Sequence, residues 1–419
     1  MDVPPPMSTV AFVATIFAPS ILFMIFSIPV KRRNIIQEAV LALLWFTELT
    51  IPLYYAGQFS YACLISTSVW AWASSMKMGV WVFSMTMDER RQRAFIFTMA
   101  NWRSPSSKKT QIRPDQYIDT HLAQLVWTTV KRQVAFDTVD FIFNYCDSQR
   151  PVRVFSALMG KSTEPLSWSS VGISLLMCML FCVYLQLQLQ VTWDAFMVMY
   201  ACIYKCLPTL ERWQLGQDSQ KLDTKNIAKT KAILRRVRGI RSLKGYLEET
   251  LEMPPLFDSP WSADSLRNFW GKRWHTIYNE CFYRLGYRPI RWTSQMVYGK
   301  KPARWVLPLS VFVMSGLMHE YFLYAATGPT VYFGKPLPAC GLQFAFFFIQ
   351  VACISVGDIL FNKGGFAGQA YAIFAMSMTS HLFVVPYILT GYMTMERFSF
   401  FRLAANLYQA NPRLYASIF

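Results

Sequence analysis

Residues Ala303 to Thr327 read ARWVLPLSVFVMSGLMHEYFLYAAT, an apolar run of the length that crosses a bilayer, with a histidine and a glutamate side by side inside it. A spanning helix needs about 20 mostly apolar residues to cross a hydrocarbon core of roughly 30 Å. An ionised side chain at the centre of such a helix costs roughly 2.5 to 3.5 kcal/mol on insertion scales, so it faces a cavity or a partner and is a functional candidate by default. His319 is therefore the residue to be explained, and the fold class follows from the run that holds it.

Outward from this run, the sequence repeats the pattern. The chain has 419 residues, 53% hydrophobic and 16% charged, a composition that excludes an ordinary soluble multidomain protein. Seven further runs predict spans: Thr9 to Val30, Ile35 to Tyr55, Phe59 to Phe83, Trp168 to Leu189, Val191 to Leu207, Gly341 to Leu360 and Gln369 to Gly391. The expected fold is all-α, a polytopic transmembrane helical bundle of about eight spans, forming a single membrane-embedded domain over residues 1–419. The first run follows Met1-Asp2-Val3-Pro4-Pro5-Pro6, with no basic n-region, and reads as a retained helix rather than a cleaved signal peptide.

The net charge of +17 is concentrated. Lys31-Arg32-Arg33 and two polar segments, about 86–167 and 209–302, all fall on the cytoplasmic side if the chain starts outside, as the Lys/Arg bias requires. No nucleic-acid-binding fold or motif accompanies this charge, so nucleic acid is not an expected partner. Between Tyr117 and Phe143 the apolar positions predict amphipathic helices at the membrane surface. Lys221 to Lys244, rich in bases among aliphatics, predicts a basic interfacial helix or helix pair held by anionic headgroups. Arg103-Ser-Pro-Ser-Ser-Lys-Lys109 reads as an exposed turn. The nine cysteines show no CxxC or Cys/His cluster, so neither a metal site nor a disulfide framework is expected. The pairs Cys178 and Cys182, and Cys202 and Cys206, read as packing residues.

Chemistry is densest just before the Ala303 run, in Ser265-Leu-Arg-Asn-Phe-Trp-Gly-Lys-Arg-Trp-His275. His275 at a cytoplasmic edge and His319 at membrane depth could converge. A proton acceptor in a water-poor cavity can deprotonate a hydroxyl, and a neighbouring donor can stabilise the oxyanion that follows. Glu320 stands about 100° round the helix from His319 and is expected to point elsewhere, to a structural hydrogen bond or ion pair. Asn268 could orient His275. Trp270 and Trp274, four apart, share a helix face and serve as a substrate wall or as interface anchors. His381, ahead of Pro386, is an intramembrane histidine without a motif; His121 reads as a surface residue. Asp194 and Asp358, near the ends of their runs, are expected to be solvated or paired. Gly364, Gly365 and Gly368 read as a turn, not a phosphate loop.

SLRNFWGKRWH, together with His319-Glu320-Tyr321, resembles the membrane-bound O-acyltransferase superfamily. The similarity is to its wax-synthase-like branch, where S-L-R-[DN]-F-W-G-R-R-W-[HN] precedes an intramembrane histidine. The motif resemblance is confined to about Trp261 to Tyr324. It maps the family's catalytic histidine onto His319. Its second signature position, often asparagine in sterol and diacylglycerol acyltransferases, maps onto His275. The resemblance implies acyl transfer from acyl-coenzyme A to a hydroxyl in the endoplasmic reticulum membrane, with no permanently bound cofactor. His319 would be the general base, and no acyl-enzyme is implied. Arg267, Lys272 and Arg273 would pair with coenzyme A phosphates, and Asn268, Trp270, Trp274 and Glu320 would complete the substrate site. Similarity to fungal terpenoid and meroterpenoid acetyltransferases implies acetyl-CoA as co-substrate and a lipophilic terpenoid-like alcohol as acceptor. Wax ester synthesis from a long-chain alcohol is the alternative. A transporter using His319 and Glu320 as a proton relay is a third reading, against which no internal repeat is visible.

Overall fold

The computed structural model describes residues 7–28, 34–92, 95–100, 114–162, 165–219, 227–253, 255–275, 277–361, 364–395 and 397–410. Met1 to Pro6, Lys31 to Arg33 and the Arg103 to Lys109 patch lie outside the described residues, as does the start of the Lys221 to Lys244 stretch. No β-strand occurs among the described residues, and the fold is all-α. The chain divides into two compact units.

The first unit comprises Met1–Trp102, Phe141–Val183 and Asp258–Phe398. It opens with α1 (Thr9–Phe26), α2 (Ile35–Tyr54) and α3 (Tyr61–Gly79). Each begins on a residue whose side chain takes up an orphan amide of the first turn. Ser8 accepts from Ala11 N at 3.2 Å, Asn34 from Ile36 N at 2.9 Å and Ser60 from Cys63 N at 3.4 Å. The later helices are α9 (Val306–Tyr332), α10 (Leu342–Leu360) and α11 (Gly365–Leu389). Phe12 and Ile16 of α1, Leu64, Trp72 and Met76 of α3, and Met318, Tyr321 and Phe322 of α9 form one buried cluster. At the far end of α9 the backbone breaks at Gly328 (φ 70°), ahead of Pro329. Here it meets Gly57, and a Cβ on Gly57 would stand 2.7 Å from Thr327 O. That close approach ties the α2–α3 turn to α9.

The second unit comprises Arg103–Asp140, Tyr184–Phe257 and Ser399–Phe419. It holds most of α4 (Pro114–Tyr145), the later part of α6 (Trp168–Ser219), α7 (Ile227–Leu251) and α12 (Phe400–Ala410). Ala201, Tyr204 and Leu207 of α6 pack on Leu247 and Leu251 of α7. Asp194 is buried and paired, accepting from Arg132 at 2.6 Å and from Gln190 at 2.6 Å. Asp137 accepts from Phe400 N at 2.8 Å, so an acidic side chain caps α12. The helix α5 (Arg150–Leu158) lies in the first unit, and α8 (Arg288–Tyr298) leads toward α9 there.

Among the described residues six helices, not eight, are long and apolar enough to cross a membrane. Two expectations are corrected. The runs Trp168 to Leu189 and Val191 to Leu207 are one continuous helix within the 52-residue α6. The Gln/Leu stretch between them holds no glycine, proline or cap, and both residue types propagate helix well. The Phe59 to Phe83 run also falls outside the six, because α3 carries Ser66, Thr67, Ser68, Ser74, Ser75 and Lys77. Most of α3 is enclosed by protein, where polar groups find partners; Ser74 Oγ donates to Glu48 at 2.5 Å. Large apolar side chains such as Ile21, Leu43 and Phe374 instead face outward, as a hydrocarbon solvent demands. Between Tyr117 and Phe143 there is one helix, α4, rather than several.

Candidate active site

The segment 255–275 is folded onto itself before it reaches the membrane helices. Arg273 donates from Nη1 to Asp258 O at 3.1 Å, Ser259 O at 3.2 Å and Ser262 Oγ at 3.1 Å, while Asp258 N donates to Arg273 O at 3.0 Å. Within this loop Ser265 caps a short turn, accepting from Asn268 N at 3.2 Å. Asn268 Nδ2 donates to Asp264 Oδ1 at 2.7 Å, and Ser265 Oγ donates to the same oxygen at 3.1 Å. The hydrogen bond from Asn268, then that from Ser265, hold the Asp264 carboxyl below its ordinary range, because both favour the charged form.

This loop sits on the start of α11. Gly364 and Gly365 take φ of 64° and 76°, which brings the chain round into the helix. Gly368 then lies directly against the Asp264 carbonyl. Gln369 Nε2 donates to Trp261 O at 2.9 Å and fixes the other side of the loop.

From that base Phe269–Arg273 makes a wide turn, closed by Trp274 N donating to Phe269 O at 2.8 Å. Trp270 projects among Phe312, Phe346 and Phe347, with ring centroids 5.6, 6.2 and 6.0 Å away. Its indole Nε1 donates to Gln350 Oε1 at 3.2 Å, and Gln350 Nε2 donates to Thr379 at 2.9 Å. Trp274 stands 5.9 Å from Trp270 and 5.8 Å from His275.

His319 meets the same wall from α9. Its ring stacks on Phe347 at 4.9 Å and 23°, with the ring of Phe383 at 5.3 Å and near right angles. Nδ1 lies 3.0 Å from the Tyr387 hydroxyl. His275 lies at the end of the loop, its ring 5.8 Å from that of Trp274. His319 remains partly accessible, as a group that meets a substrate must be.

Other predicted site residues are placed differently. Glu320 turns away from the histidine and accepts from Tyr332 Oη, from Gly341 N at 3.0 Å and from Phe344 N at 2.9 Å. Its carboxylate thereby caps α10, where the helix dipole favours a negative charge. Arg267 forms a two-pronged ion pair with Asp358, Nε donating at 2.9 and 3.1 Å. Arg273 is spent on the loop backbone, and Lys272 stands exposed with no hydrogen bond or ion pair among the described residues. Asn268 binds Asp264 rather than His275. His381 belongs to a helix contact, 2.7 Å from Ser174 Oγ and stacked on Phe155. His121 lies in the second unit.

Sequence reasoning missed Tyr387, Phe347, Gln343 and Gln350. Each is a polar or aromatic residue in an apolar run with no motif around it; only the neighbouring His381 and Pro386 gave a signal, and it pointed to the right helix but not the right residue.

Residues 253–349 match the membrane bound O-acyl transferase family. The chain is 34% identical over 80 residues to a long-chain-alcohol O-fatty-acyltransferase of Simmondsia chinensis, covering 18% of this chain and 22% of that protein. It is 30% identical over 106 residues to acyl-CoA–sterol O-acyltransferase 1 of Arabidopsis thaliana, covering 25% of this chain and 28% of the relative. Matches to curated relatives span between 22% and 39% of their lengths. The matched stretch contains the folded loop, His275, His319 and Phe347, and over it this integral membrane chain is similar to the membrane bound O-acyl transferase family and to long-chain-alcohol O-fatty-acyltransferases.

Proposed function

We propose that this protein is an enzyme that transfers an acyl group from acyl-CoA to the hydroxyl of a lipophilic alcohol. The observation that supports the reading is a partly accessible His319 stacked on Phe347, inside the stretch that matches the acyltransferase family. Nε2 of His319 takes the proton of the alcohol. The alcohol oxygen attacks the thioester carbonyl, and collapse of the tetrahedral intermediate expels the coenzyme A thiolate, which recovers the proton from the imidazolium. General-base assistance of this kind contributes about 10²- to 10⁴-fold. His275 donates to the oxyanion while it exists.

The donor we favour is acetyl-CoA, and the acceptor a terpenoid-like alcohol. Phe322, Phe347, Phe383 and Tyr387 all stand within 6.4 Å of the His319 ring, a crowding that suits a short acyl group. A fatty donor is the second reading, supported by the long-chain-alcohol acyltransferases among the relatives. Lys272 is the base best free to meet coenzyme A phosphate at the loop surface. The endoplasmic reticulum is the membrane we assign.

Membranes carrying the protein, incubated with radiolabelled acetyl-CoA or palmitoyl-CoA and a panel of sterol, terpenoid and long-chain alcohols, test this. Ester should form from one donor class and fall at least about 100-fold in His319→Ala. Absence of ester with every pair, or full activity in the variant, would overturn the reading.

A further inference from the structure

An amphipathic helix on a protein surface ordinarily turns its apolar arc to the core. The helix α8 does the reverse. At about 100° per residue, Trp292, Met296, Pro289, Thr293, Val297 and Ile290 fill one continuous arc of about 160°, and Ser294, Tyr298, Arg291, Gln295 and Arg288 fill the rest. Trp292, Met296 and Val297 are 62%, 66% and 64% exposed, whereas the half-buried positions, Arg291 and Ser294, both belong to the polar arc. The apolar arc looks away from the protein.

Such an arc calls for a lipid surface, yet α8 cannot cross a bilayer. Its 11 residues make a rod of roughly 16 Å, about half of a hydrocarbon core of roughly 30 Å. It can lie in the plane of the membrane surface, where interfacial helices sink their apolar face about 5–10 Å. Its place in the chain puts it there. Gly299, at φ 64°, ends α8, and α9, long and apolar enough to cross, starts at Val306 just beyond.

The charge is equally one-sided. Residues 288–305 hold Arg288, Arg291, Lys300, Lys301 and Arg304 and no acidic residue, and among the described residues none of these bases has an ion-pair partner. The exposed Trp292, Tyr298 and Trp305 are of the types that collect at headgroup depth.

We infer that α8 is an in-plane anchor that docks on anionic lipid: the arc through Trp292, Met296 and Val297 lies at the acyl boundary of one leaflet, and the bases from Arg288 to Arg304 take the anionic headgroups. Each near-surface base adds to the attraction, so the segment selects anionic over zwitterionic lipid. Acyl transfer has no part in this docking.

The test uses the full chain in nanodiscs of equal parts phosphatidylcholine and phosphatidylserine, with p-benzoylphenylalanine placed at Val297 or, on the other arc, at Gln295. Illumination followed by mass spectrometry reads what each position touches. Val297 should give lipid adducts and Gln295 severalfold fewer, with phosphatidylserine in excess over phosphatidylcholine by at least about threefold. That excess should vanish when Arg288→Gln, Lys300→Gln, Lys301→Gln and Arg304→Gln are combined. It should also vanish with all bases present at about 1 M salt, where the screening length is about 3 Å, so a charge variant that fails to fold leaves the inference testable. Equal lipid adducts at the two positions, a crosslink from Val297 to a second copy in place of lipid, adducts with no phosphatidylserine excess, or an excess untouched by salt would each overturn it.

Discussion

Gly368 lies so close beneath Asp264 that a Cβ built on it would stand 2.1 Å from the Asp264 carbonyl oxygen. The obstructing atom is backbone and cannot rotate away. Gly368→Ala should therefore lift the 258–275 loop off α11 and destabilise the protein by about 3 kcal/mol, the upper part of the range for overpacking. Gly172→Ala, in a helix with open space around it, serves as the contrast and should be neutral or slightly stabilising. Thermal unfolding in detergent compares the two; equal midpoints would mean that the loop does not rest on this contact.

Glu320 is predicted to matter through α10. Glu320→Ala removes the acceptor for Tyr332, Gly341 N and Phe344 N together, and should cost about 2 kcal/mol, as expected for hydrogen bonds to a charged group. Glu320→Gln keeps one acceptor oxygen and should lie between. A loss of transfer activity in Glu320→Ala at native stability would instead show a direct part in chemistry.

For Arg267 the expectation concerns competition. The pair with Asp358 is solvent-exposed, so Asp358→Asn should change stability by no more than about 1 kcal/mol. If Arg267 is then free to meet coenzyme A phosphate, the KM for acyl-CoA should fall severalfold, and Arg267→Ala should abolish the gain. An unchanged KM in Asp358→Asn would remove Arg267 from the donor site.

Asp264 predicts an acid limit for the loop. Its carboxyl is depressed by Asn268 and Ser265, so its stabilising contribution is complete above the unfolded carboxylate value of about 3.9 and is lost as pH falls through the lower folded value. Hydrogen exchange over residues 255–275 should be flat from pH 5 to 8 after correction for intrinsic exchange, and protection should fall only below about pH 4. In Asn268→Leu that loss should begin at a higher pH. A native loop that loosens between pH 5 and 7 would contradict this account.

Much of this was legible in the chain. The cost of an ionisable group in hydrocarbon singled out His319, and the dense aromatic and basic stretch singled out His275; both arguments need only local sequence. The helix boundaries of α9 and α10 fell close to the predicted runs for the same reason. Span number was not legible at α6, because nothing in the Gln/Leu stretch shows whether the chain turns or continues, and hydropathy is blind to that choice. It failed at α3 because protein, not lipid, surrounds that helix. The Tyr387 contact is made across 68 residues by a side chain with no neighbouring motif. Arg273 and Arg267 show what spacing leaves open: the sequence gives each base its place, but not the nearby carbonyls and carboxylate that bind it.

The adjacency of His319 and Glu320 has a consequence for how such a site can change. One residue lays its ring on Phe347 and the next grips the first turn of the helix that bears Phe347. A slide of α10 by one helical turn, about 5.4 Å, would tear out the grip before it widened the wall. The gap between base and wall is thus a fixed gauge. New substrates would have to be accommodated by trading side chains along that wall, with the two backbones keeping step.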